Sequence, residues 1–140
     1  MEARENSVMV KQSVWDDCQC EMERYKWIES EKAGYDLGEP AIRRWIKEHW
    51  NGYLRARWLE HLQGTTYWVE LDHDDFELLR THFQDKLLLL DRIVDRLKVG
   101  QENLHIIQWA LDWNLPMCDV QAILLALDIN GRRMSHRFDA

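Results

Sequence analysis

The residues best suited by type and spacing to chemistry are two Glu-x-x-His pairs, Glu70 with His73 in "ELDH" and Glu102 with His105 in "ENLH". On a helix, positions three apart share a face, so each pair would present one oxygen and one nitrogen donor. Two such pairs, joined by one carboxylate from each of two further helices, make the di-iron or di-manganese site of carboxylate bundles. Glu21 and Glu48 are candidates for those carboxylates. One alternative reading is therefore a metal-binding bundle using Glu21, Glu48, Glu70, His73, Glu102 and His105. Two features weigh against it. Glu70 falls in a β-favouring stretch, and Glu102 stands in the first turn of its helix. With 6 histidines and 25 acidic residues, such spacings also arise by chance. The neighbouring "LDHDD" lacks the alternating ligands and central glycine of a calcium loop, and reads instead as an acidic helix start.

A second constellation lies in "QWALDWNLPMCDVQAILLAL". Ala110, Leu115, Val120 and Ile123 have the apolar spacing of a helix-turn-helix, with Asn114 where the turn glycine usually stands. The second helix of that hairpin carries no Lys or Arg, and its Asp119 would repel phosphate. A nucleic-acid regulator is thus a further alternative that would lean on Arg132, Arg133 and Arg137. This pattern argues against nucleic acid as a partner, and the formal charge of −7 agrees.

The third is "AIRRWIKEHWNGYLRARWLEHL" (41–62). Ile42, Trp45, Ile46, Trp50, Tyr53, Leu54, Trp58 and Leu62 form a wide apolar stripe, with Arg43, Arg44, Lys47, Arg55 and Arg57 mostly beyond it. His49 falls inside the stripe and His61 near its edge. Twelve residues separate the two histidines, so they cannot share a ligand from one straight helix. A stripe so broad implies burial on more than one side and marks this as the central helix. Tryptophan and arginine dominate binding hot spots, and eight tryptophans are more than a small core absorbs. The expected interaction residues are Trp27, Arg43, Arg44, Trp50, Arg55, Arg57 and Trp113, with Trp27 and Trp113 as exposed anchors.

Nothing nominates a nucleophile. The four serines lie near the start or in the tail, and the six glycines are too scattered to cradle a phosphate. No catalytic residue and no cofactor are expected. The cysteine pair Cys18 and Cys20 is two residues apart, a spacing that suits neither one metal nor a disulfide, and Cys118 stands alone. All three read as reduced thiols.

The elements that must hold these residues are helices. Only six glycines and two prolines interrupt 140 residues, and the longest run of one apolar residue type is the four leucines at 87–90. No membrane span follows from that, and a cytoplasmic protein is expected. Apolar periodicity predicts helices at 7–33, 37–62, 74–98, 101–113 and 116–128, with a frayed tail at 131–140. Val8, Trp15, Cys18, Met22 and Tyr25 share the inner face of the first. Asp36 and Glu39 resemble a capping box for the second. Phe76, Phe83, Leu90 and Leu97 recur every seventh residue in the third, with Leu79, Leu87 and Val94 between them. The residues "TTYWVEL" predict an extended connector at 65–71, or half of a two-stranded pairing.

The expected fold class is therefore all-α, a single-domain bundle of about five helices over 1–140, with the connector at 65–71 and a C-terminal helical hairpin. The leading functional expectation is a protein-interaction or assembly module that self-associates.

Overall fold

The computed structural model describes residues 10–132 and 134. A two-residue strand β1 (Lys11–Gln12) leads into α1 (Val14–Ala33) and then the long α2 (Glu39–Gln63). Strand β2 (Tyr67–Trp68), a 3-10 turn (Val69–Leu71), the short α3 (Leu78–His82) and α4 (Leu87–Lys98) follow. The hairpin α5 (Asn103–Asp112) and α6 (Met117–Leu127) closes the order. The chain is mostly helical, a small bundle as expected, and no helix among the described residues is long and apolar enough to cross a membrane.

Helix α2 is central because it feeds two cores. Its Trp45, Trp50, Leu54 and Trp58 pack with Val14, Cys18 and Met22 of α1 and with Trp68 and Leu71. One turn further on, Leu59 and Leu62 join the second core, made with Leu79, Leu90, Ile93, Val94, Leu97, Ile106, Ala110, Val120, Ile123 and Leu127. Glycine ends both long helices in the left-handed region, at Gly34 (φ 84°) and Gly64 (φ 82°), where a Cβ would be strained.

Several local expectations are corrected. Helix α1 begins at Val14 rather than near residue 7. Ser13 is its N-cap, and Lys11 and Gln12 are extended in parallel pairing with Tyr67 and Trp68. The connector thus finds its partner in a segment expected to be helical; Val8 lies outside the described residues. Asp36 and Glu39 form no capping box. Gly38 is the N-cap of α2, and Asp36 accepts the Gly38 N–H at 3.0 Å instead.

The helix expected at 74–98 is two helices. It cannot start at 74, because Asp74 (φ 59°) and Glu77 (φ 66°) are left-handed and Asp75 is held by tertiary partners. It breaks again at 83–86, where the Lys86 N–H turns back to the Phe83 carbonyl at 2.8 Å. Of the seventh-residue series, Leu90 and Leu97 are buried and Phe76 and Phe83 half-buried, while Leu79 and Val94 between them are buried.

Gly52 sits inside α2, where a Cβ would meet no heavy atom within 4 Å. Glycine inside a helix costs about 0.5–1 kcal/mol relative to alanine. Gly52→Ala should therefore raise the melting temperature by a few degrees in a calorimetric scan. A lower value would show that the backbone here is not free to take a side chain.

Candidate functional site

A polar cluster is built on His61, in the last turn of α2. This side chain is fully buried, whereas His49, expected inside the apolar stripe, is exposed. The reversal comes from the 65–76 loop, which folds back over the last turn of α2. Trp68 donates its backbone N–H to Nδ1 at 3.1 Å, so the ring carries its proton on Nε2. That nitrogen faces Asp72 at 3.2 Å and Asp75 at 3.4 Å. Tyr67 donates its hydroxyl to the other oxygen of Asp72, which holds that carboxyl below the usual range and pushes the Tyr67 phenol up. Tyr67 and Phe76 pack on the imidazole at 5.0 and 5.2 Å between centroids.

Among the described residues, His61, Asp72 and Asp75 are the one group of three whose donor atoms lie within 4.8 Å of one another. A metal on Nε2 would have to displace a proton that the Trp68 bond prevents from moving to Nδ1. The cluster is built as a hydrogen-bonded clamp on the loop.

None of the six residues expected as ligands belongs to that cluster, and the structure divides them among four places. Glu70 reaches the start of α1, accepting the Ser13 hydroxyl at 2.6 Å and the Val14 N–H at 2.7 Å. It caps that helix from across the fold, favourably placed against the positive end of its dipole. His73 stacks on Trp58 at 5.7 Å and 13°. Glu102 is the N-cap of α5 in a capping box with His105, whose Nδ1 accepts the Glu102 N–H at 2.9 Å. Of the two Glu-x-x-His spacings, Glu102 with His105 is a capping box, which uses the same three-residue step, whereas Glu70 and His73 serve separate contacts. Glu21 and Glu48 do share one cleft of about 540 Å³ between α1 and α2, with His49, Tyr25 and Gly52.

The expected interaction residues also separate. Trp27 and Trp113 are 64% and 71% exposed, and Arg43 is at the surface. Trp50 is not: it is buried beside Trp15, with rings 5.7 Å apart and nearly parallel. Arg44 is 3.6 Å from Glu29. Arg55 forks onto Glu102 at 2.9 and 3.3 Å, tying α2 to the start of α5. Arg57 lies over the Tyr53 and Trp68 rings and pairs with Glu60 at 3.0 Å and Asp17 at 3.4 Å. These last two arginines are internal ties. A helical wheel shows the Arg57–Glu60 pair but cannot foresee Asp17 and Glu102, which come from other elements.

Of the arginines expected at a nucleic acid, Arg133 and Arg137 lie outside the described residues. Arg132 is engaged at every nitrogen. It donates to the Leu127 and Ala126 carbonyls at 2.6 and 3.2 Å, pairs with Asp75 at 3.2 Å and covers the Trp58 ring.

Cys18 is buried and Cys20 and Cys118 are exposed. Burial, with help from Asp17, Glu70 and Asp16, pushes the Cys18 thiol up to about 12. An aromatic disulfide reagent at mildly alkaline pH should therefore titrate two thiols in the native protein and the third only with denaturant. Three fast thiols would show that the first core opens readily.

What the sequence reading missed is the outer side of the hairpin. Ile106 and Ala110 turn α5 into the core, and Asn114 (φ 55°) makes the turn into α6. On the opposite side, Leu104 and Leu111 are 74% and 61% exposed, and half-buried Ile107 lies between them at the same helical phase. Leu125 of α6 is 80% exposed. Between the helices runs a groove of about 340 Å³ lined by Ile107, Leu124, Leu125 and Ile129, with Asn103 and Asp128 among its polar edges. The available signal was the composition of "NLHIIQWALDW", which is apolar on two faces at once.

Compared with known proteins, the chain matches no family model, no curated protein and no solved structure.

Proposed function

We propose that this chain is a protein-interaction module whose docking face is the outer side of the α5–α6 hairpin. The observation that carries the reading is the apolar row Leu104, Ile107 and Leu111, with Leu125 across the groove, on a helix that already buries its other side. Helix α5 buries Ile106 and Ala110 on one side and exposes Leu104 and Leu111 on the other, beside Gln108 and Asp112. Contiguous exposed apolar surface of this kind marks contact sites in soluble proteins. The three unpaired thiols support a cytoplasmic setting for the contact.

Site-specific photo-cross-linking in the cells that make the protein tests this. A photoreactive residue at position 111 or 125 should give discrete adducts, and one at exposed Cys20 should not. The same pattern from all three positions would overturn the proposal.

A further inference from the structure

We propose that the partner's docking element is a basic amphipathic helix, seated along the α5–α6 groove as the third member of a helical trio. This rests on the docking face proposed above and names what occupies it.

Shape argues for a helix. Leu104, Ile107 and Leu111 follow the i, i+3, i+7 ridge that meshes with the ridges of another helix. The groove between two antiparallel helices is also the usual seat for an incoming amphipathic segment. Charge argues for a basic one. From Gly100 to Gly131 the chain contains Glu102, Asp112, Asp119 and Asp128 and no lysine or arginine.

Among the described residues, the cations that approach the hairpin from other elements are already committed. Arg55 is forked onto Glu102, Arg132 is bound to Asp75, Arg96 covers the inner Trp109 ring, and Lys86 stands between Asp85 and Asp119. Glu102 and Asp119 are thereby neutralised, and among the described residues Asp112 and Asp128 are left with no cation beside them, Asp128 at the groove itself. Two copies facing each other through this strip would set acid against acid. A helix with apolar residues at helical spacing and lysines or arginines beside them satisfies both features, and the overall charge of −7 favours its approach.

Two synthetic peptides of about five helical turns (~18 residues) test the inference. Both carry leucine at the same helical positions; one has lysine at the remaining positions and the other glutamate. Fluorescence anisotropy with the full chain should show binding of the lysine peptide only, weakening about tenfold or more between ~50 and ~300 mM salt. Leu111→Gln with Leu125→Gln should weaken it about tenfold at fixed salt. Asp112→Asn with Asp128→Asn should flatten the salt dependence.

Unchanged binding to the leucine double variant would place the peptide elsewhere on the acidic surface and overturn the inference. Equal binding of both peptides would leave the docking face standing and overturn the basic partner. A dimer in sedimentation that Leu111→Gln with Leu125→Gln dissolves would do the same, making a second copy the occupant. If neither peptide binds and cross-linking at 111 and 125 is also silent, the docking face itself falls.

Discussion

His61→Leu is expected to destabilise the fold by about 3 kcal/mol, lowering the melting temperature by about 10 °C, although the two side chains are close in volume. The imidazole is fully buried and bonded at both nitrogens. Leucine would leave the buried Trp68 N–H without an acceptor, and would leave Asp72 and Asp75 facing each other with no donor between them. An unsatisfied buried donor costs about 1–3 kcal/mol, and breaking a buried charged contact adds to that.

His61→Asn separates the two contributions. Its Oδ1 can stand where Nδ1 stood and keep the Trp68 bond, so it should lose less than leucine does. Thermal and denaturant melts of the three proteins decide this; equal stability of His61→Leu and the native chain would mean that the clamp holds nothing.

Acid should undo the same region first. The Asp72 carboxyl is held below its usual range, foremost by the Tyr67 hydroxyl. A carboxyl depressed in the folded state stabilises it above the ordinary value of about 3.9, and that stabilisation is lost as pH falls further. Tyr67→Phe should therefore move the acid-unfolding midpoint to higher pH.

Arg132→Met is expected to cost about 2–3 kcal/mol. Methionine keeps much of the apolar stem over Trp58 but gives up three hydrogen bonds. Two of those bonds close the C-terminal end of α6 through the Ala126 and Leu127 carbonyls, and the third joins that end to Asp75. Asp75 would remain 8% exposed, bonded to the His73 N–H at 3.1 Å and beside His61.

Arg132→Lys should recover little, because an ammonium cannot reach two carbonyls and a carboxylate with one planar fork. A double-mutant cycle with Asp75→Asn measures the coupling. Additivity would show that the two residues act separately, against the geometry. Removing Arg132 therefore perturbs the fold itself, and a loss of nucleic-acid binding in such a variant would not identify a phosphate contact.

Much of the architecture is legible in the residues. The stops at Gly34, Gly64 and Gly100, the turn at Asn114, the seventh-residue leucines and the breadth of the 41–62 stripe all follow from local rules of period and capping. They suffice for an all-α bundle with α2 at its centre. Exposure of Trp27 and Trp113 was also within reach, since one lies across its helix from Tyr25 and the other at a helix end.

Tertiary structure alone decided how the polar residues are used. Glu70 meets Ser13 across 57 positions, and Asp75 meets Arg132 across another 57. A helical wheel shows the angle between side chains but not which angle the rest of the chain will cover. It cannot tell a metal ligand from a cap when both use the same three-residue step. For the same reason His49 and His61 exchanged places, the 74–98 helix split around Asp75, and the outer leucines of α5 emerged as surface. Periodicity is a property of neighbours along the chain, whereas burial and pairing are set by whatever distant segment folds against them.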